Sequence, residues 1–257
     1  MRHELFTVLG ISFIFAASAL GAAVVFLFKK TVPPKLNAAF LGFASGVMLA
    51  ASVWSLLLPA IEQAETSWRS WAIVPVCFGL GLGGILLCLI EHLMKGLSQS
   101  KNGVFNKTTR LFLAVTLHNI PEGLAVGFAF GFAYVSGDFA AYASALGLAV
   151  GIGIQNLPEG AALALPLKTA FSSPNKAFLL GGLSGFVEPL FAILGYFLAA
   201  QLQILQPWLL SFAAGAMLFV VAEDLLPDSR LEDAPKIGAV GFLLGFIVMM
   251  VLDVVLG

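Results

Sequence analysis

No lysine or arginine occurs between Arg110 and Lys168, yet this stretch carries Glu122 and Glu159 inside long apolar runs. The absence excludes an ion pair with a basic neighbour in the same segments. A charged side chain near a bilayer centre costs about 3 kcal/mol or more. Each glutamate must therefore be protonated or bind a cation brought in from outside. Charge is scarce everywhere: Asp, Glu, Lys and Arg make up 11% of the 257 residues, against 60% hydrophobic, which excludes a soluble domain. Cysteine is nearly absent as well. Cys77 and Cys88 lie eleven residues apart in one apolar segment, about 16 Å along a helix. That distance rules out a mutual disulfide and leaves them as packing residues. The net charge of -1 says nothing about partners, because the charges are sorted by side; a lipid bilayer and no nucleic acid are the expected surroundings.

At about 20 residues per span, the apolar runs predict an all-α polytopic membrane protein with eight transmembrane helices. They are expected over 5–28, 37–61, 71–92, 110–134, 140–167, 177–200, 207–226 and 236–256. The longest loop, about 93–109, is polar and short, so residues 1–257 read as a single transmembrane domain. One set of loops carries Lys29, Lys30, Lys35, Lys95, Lys101, Lys107, Arg110, Lys168, Lys176, Arg230 and Lys236, and the opposite set only Arg2 and Arg69. The positive-inside rule makes the first set cytoplasmic and both termini extracytoplasmic. The first segment is expected to be a retained helix: it lacks a basic run before it and is followed by Lys29-Lys30.

Two internal matches speak for function. His118-Asn119-Ile120-Pro121-Glu122-Gly123 and Gln155-Asn156-Leu157-Pro158-Glu159-Gly160 stand 37 residues apart, in the fourth and fifth segments. Phe43-Ala44-Ser45-Gly46-Val47-Met48-Leu49 in the second segment matches Phe212-Ala213-Ala214-Gly215-Ala216-Met217-Leu218 in the seventh. Even- and odd-numbered helices cross in opposite directions. Both matches thus predict an inverted repeat, helices 1–3 against 6–8 with helices 4 and 5 central, and a pseudo-two-fold axis in the membrane plane. Transporters built this way hold their substrate near the midplane.

Helical spacing supplies the chemistry. His118 and Glu122 are four apart, Asn119 and Glu122 three apart, and Gln155, Asn156 and Glu159 repeat the pattern. Facing the two helices predicts two adjacent pockets, one of His118, Glu122, Gln155 and Glu159, the other of Asn119, Glu122, Asn156 and Glu159. The glutamates would bridge two divalent ions. Imidazole with carboxylate suits Zn²⁺, Fe²⁺, Mn²⁺ or Cd²⁺ and disfavours Mg²⁺. Amide oxygens in place of thiolates keep such sites weak enough to release their ion. Pro121 and Pro158 cannot bond to the carbonyls of Leu117 and Ile154, which frees polar backbone beside the ligands. The plainer alternative is two kinked helices with neutral glutamates, and it leaves the duplication unexplained.

At these residues the chain resembles the ZIP (Zrt-, Irt-like protein) family of divalent metal transporters, in particular its prokaryotic GufA-like members. The resemblance rests on His118-Asn119-x-Pro121-Glu122-Gly123 and Asn156-x-Pro158-Glu159-Gly160 and extends over essentially the whole chain. It implies a binuclear site, transport towards the cytoplasm, a bacterial inner membrane, and movement of helices 1, 4, 5 and 6 against the rest. It also implies that Met48 contacts the first metal and Glu188 the second, while Met217 stays packing. Departures are Gln155 and Ala222 where many members have histidine, and a loop between helices 3 and 4 without their histidines.

The expected function is transport of divalent transition-metal ions into the cytoplasm, zinc foremost, by a non-enzyme that leaves room for a homodimer. The expected metal ligands are Met48, His118, Asn119, Glu122, Gln155, Asn156, Glu159 and Glu188, with Zn²⁺ as transported substrate and Cd²⁺, Fe²⁺ or Mn²⁺ as alternatives. Glu223 and Asp224 are divided between interfacial solvation and metal exit, while Glu62, Glu65, Glu91, His92 and Asp253 are expected to be solvated. An intramembrane metal-dependent hydrolase is the competing reading, but His118-x-x-x-Glu122 lacks the second histidine of a His-Glu-x-x-His site. A proton-coupled antiporter for small cations would leave His118, Asn119, Gln155 and Asn156 without a role.

Overall fold

The computed structural model describes residues 2–27, 33–98, 107–232 and 234–256. Every regular element among them is helical. Lys29 and Lys30 lie outside the described residues, as do 99–106 of the loop expected over 93–109.

The chain runs through α1 (Arg2–Ala23), α2 (Pro34–Ala51), α3 (Leu58–Trp68), α4 (Ile73–Ser98), α5 (Lys107–Ser136) and α6 (Phe139–Phe171). It continues through α7 (Pro174–Gly185), α8 (Val187–Gln201), α9 (Gln206–Val220), α10 (Leu226–Asp228) and α11 (Pro235–Leu256). Local chemistry sets the joints. Gly137 at φ +65° and Asp138, whose side chain accepts from the Ala140 N–H, make the tight link from α5 to α6. Ser172 in the left-handed region ends α6, and Ser173 caps α7 ahead of Pro174.

Among the described residues, seven helical stretches are long and apolar enough to cross a membrane: Glu4–Phe26, Pro34–Trp71, Ile73–Leu93, Phe139–Lys168, Pro174–Gln201, Gln203–Asp228 and Lys236–Val255. The 30-residue α5, which carries His118, Asn119 and Glu122, is not among them. Packing follows membrane rules. Outward positions such as Phe78, Ile85, Leu190, Phe197, Leu243 and Ile247 are large and exposed, whereas Ala44, Gly46, Ala125, Ala164, Ala192 and Ala213 are buried. Small residues bring backbones close enough for dispersion to hold the helices together. Cys77 and Cys88, expected as packing residues, are both exposed on α4, since the faces of that helix turned towards α9 use Gly79 and Gly83.

Two kinds of departure from regular α-helix bear on the buried polar residues. π-Helical segments interrupt both long rods of the second repeat pair: Ser52–Leu57 joins α2 to α3, and Val221–Leu225 joins α9 to α10. The helix expected over 177–200 breaks at Phe186, where Pro189 withholds the amide that would continue the ladder to Gly185. The break leaves Glu188 in the first turn of α8, where unsatisfied amides and the helix dipole favour a carboxylate.

The four most extensive helix contacts are α2 with α11, α5 with α8, α1 with α6, and α4 with α9. Contacts of α5 with α6 and of α6 with α7 link α1, α5, α6, α7 and α8 into one set, and the Ser52–Leu57 segment, packed on α2, α3 and α9, helps link α2, α3, α4, α9, α10 and α11 into another.

Candidate metal pathway

Within the first set, both hexapeptides point their polar residues inward. His118, Asn119, Glu122, Gln155, Asn156, Glu159 and Glu188 are all buried, Glu122, Gln155 and Glu188 completely. The glycine ending each hexapeptide makes this possible. A Cβ on Gly123 would collide with the Glu188 carbonyl, and one on Gly160 with the Ser18 carbonyl, so glycine brings α5 onto α8 and α6 onto α1 beside the acids.

Hydrogen bonds fix the amides. Gln155 Nε2 donates to Glu122 Oε1 at 2.6 Å, and Asn156 Nδ2 donates to Glu188 Oε2 at 2.6 Å. Asn119 Nδ2 donates to the Ser184 carbonyl at 2.9 Å. With their nitrogens spent on acceptors, the amides turn their oxygens elsewhere. Glu122 Oε2, Gln155 Oε1, Asn156 Oδ1 and Glu159 Oε2 are buried and have no hydrogen-bond partner. All four are acceptors, and leaving them bare costs free energy of order 1–3 kcal/mol each. A divalent cation satisfies such a set where no donor does. A cavity of about 10 Å³, lined by Ser18, Asn119, Asn156, Glu159 and Ser184 among others, lies against it.

His118, buried with the others, also reaches beyond the pocket expected for it. Its Nε2 lies 3.1 Å from Asp224 Oδ2. Ligand atoms of Glu91, His118 and Asp224 fall within 4.8 Å of one another. One helical turn from Glu122 in the direction of the Lys-rich loops, His118 thus ties the first helix set to α4 and to the π segment between α9 and α10. That segment adds a residue to the turn and re-aims Asp224. Glu91, expected to be solvated, is half-buried in this group, while Glu223 is exposed.

Asp253 is also not solvated. It is 9% exposed and accepts from Ser55 Oγ at 2.5 Å, because the other π segment turns Ser55 towards α11. It lines a cavity of about 920 Å³ on the opposite side of the molecule, together with Glu62, Gln63, Asp138 and Gln206. Met48 is buried in α2, which packs on α6, and Met217 is buried in the core of α9. Sequence reasoning missed Glu91 and Ser55. Glu91 carried the same signal as Glu188, an acid within an apolar run; Ser55 carried none.

This arrangement has parallels among known proteins. The family described as ZIP Zinc transporter matches residues 103–253. Zinc transporter ZIP11 of Homo sapiens is 35% identical, with 97% of this chain and 96% of that protein covered. Zinc transporter GufA of Myxococcus xanthus is 35% identical over 94% of this chain and 95% of its own, and zinc transporter ZIPB of Bordetella bronchiseptica 36% identical over 99% and 82%.

Proposed function

The chain belongs to the ZIP zinc transporter family, and from that premise we propose that it carries divalent transition-metal ions, zinc first, into the cytoplasm through a two-ion site between α5 and α6. The observation that carries this reading is the set of four buried, unpartnered oxygens of Glu122, Gln155, Asn156 and Glu159. Glu122 and Glu159 bridge the two ions. His118, Gln155 and Met48 complete one coordination shell; Asn119, Asn156 and Glu188 complete the other. Fe²⁺, Mn²⁺ and Cd²⁺ fit the same oxygen and imidazole donors.

In this reading residues 1–257 form one transmembrane transporter domain, eight helical rods cross the bilayer, α5 included, and both termini are extracytoplasmic. The inverted repeat is supported by packing. Exchanging helices 1–3 with 6–8 and the fourth with the fifth turns the α2–α11 contact into the α9–α4 contact, and α1–α6 into α8–α5. It also superposes the two π segments and pairs Gly46, which abuts the Phe242 carbonyl, with Gly215, which abuts that of Leu80. The first helix set moves as a unit against the second, carrying the ions from the wide cavity beside Asp253 to the Lys-rich side. There His118 passes them to Asp224 and Glu91. Hydrolysis finds no support: His118 meets two acids, and no His₂Glu set assembles among the described residues.

Proton competition tests the donor set. Bound metal requires neutral imidazole and ionised carboxylates. Lowering the pH from about 7.5 to about 5.5, across the ordinary imidazole range, should raise the apparent KM for zinc uptake into proteoliposomes. A KM unchanged over that range would remove histidine and carboxylate from the site.

A further inference from the structure

Ser18 sits in the second half of α1, a helix that otherwise meets the site's polar groups through the Ile14 carbonyl. It is 5% exposed and lines the small cavity beside Asn119, Asn156 and Glu159. A buried serine inside a helix ordinarily returns its hydroxyl to the carbonyl four residues back. That acceptor is present, the Ile14 carbonyl at 3.2 Å, but Glu188 Oε1 is far closer, at 2.6 Å. With one hydrogen to give, the hydroxyl donates to the carboxylate.

The consequences spread around a ring. Glu188 Oε1 is held by Ser18 and Oε2 by Asn156 Nδ2, whose nitrogen also lies 3.3 Å from the Ile14 carbonyl. Three helices, α1, α6 and α8, are joined through four polar groups. The ring leaves Asn156 Oδ1 bare and facing away from its own amide nitrogen. Ser18 itself has little freedom. Glycines at 160 and 185 press against it: a Cβ on the first would strike its carbonyl, and one on the second its Cβ. Its hydroxyl is thereby fixed in place before any ion arrives.

We propose that Ser18 is a positioning residue for the ion held by Asn119, Asn156 and Glu188: it fixes the Glu188 carboxylate, and through Glu188 the orientation of the Asn156 amide. A carboxylate oxygen accepting one hydrogen bond keeps a second lone pair for metal, so the bond to Ser18 persists when the ion binds. Partners of this kind typically change metal affinity ten- to one-hundred-fold when removed. The role rests on the two-ion reading given above and adds to it a residue on α1.

Zinc titration of the full chain in nanodiscs, resolved into two binding steps, tests this. Ser18→Ala should weaken one step by about ten- to one-hundred-fold and leave the other within about twofold. Ser18→Thr, which keeps the hydroxyl, should restore it. Ser18→Cys, of similar shape with a weaker donor, should fall between, and it replaces the alanine variant if that one does not elute as a single folded species. Two unchanged steps in the Ala and Cys variants would overturn the role. Equal weakening of both steps would overturn it too, because that marks a general packing defect in α1. A wild-type chain that binds fewer than two ions would instead refute the two-ion reading, and the positioning role with it.

Discussion

Glu122→Ala should reduce zinc uptake to the level of protein-free vesicles, while Asn119→Ala should slow it or shift its metal preference. Glu122 is fully buried, one of its oxygens accepts from Gln155, and the other is bare. In the two-ion reading its removal would strip a bridging ligand from both ions, and it unties the Gln155 amide that the same carboxylate orients. His118, whose Nε2 lies 3.1 Å from Asp224 Oδ2, offers no carboxylate in its place. Asn119 serves one pocket only, so its loss leaves Glu122, Gln155 and Glu159 in place. Initial ⁶⁵Zn flux, normalised to reconstituted protein, distinguishes the two; undiminished flux in Glu122→Ala would defeat the bridging role.

Gly123→Val should cost the fold itself. The new side chain would drive into the Glu188 carbonyl, at a close approach of α5 and α8. Overpacking of this kind typically costs about 1–3 kcal/mol, and here the obstacle is backbone that cannot rotate aside. The expected outcome is a large drop in melting temperature of the detergent-solubilised protein, with loss of the monodisperse peak. Gly160→Val should behave alike through the Ser18 carbonyl. Gly81→Ala, where nothing stands within 4 Å of the added carbon, should melt as the wild type does. Equal melting of Gly123→Val and Gly81→Ala would show that the α5–α8 approach is less intimate than described.

The all-helical architecture was legible because apolar runs of about 20 residues admit little else in a bilayer. The duplicated hexapeptide was legible because uncompensated acids in such runs are expensive. Other elements left a weaker trace. A π segment is one extra residue in a helical turn with no residue type of its own, so Ser52–Leu57 and Val221–Leu225 read as ordinary helix. The contact of His118 with Asp224 and Glu91 left no trace because i, i+4 spacing describes one helix, whereas these acids arrive from two others. Asp253 looked interfacial by its place near the chain end, and its burial depends on Ser55, 198 residues away. Ser18 is indistinguishable in sequence from the exposed Ser12 on the same helix. The break before Glu188 had a visible signal in Pro189, and the apolar run around it concealed its effect.

The central claim is that two divalent ions share the buried carboxylates of α5 and α6. Equilibrium dialysis of the full chain in nanodiscs against Zn²⁺ tests it most directly, by counting ions per chain. The account predicts two for the wild type, one for Asn119→Ala, and none for the Glu122→Ala, Glu159→Ala double variant. Two ions retained in the double variant would contradict it.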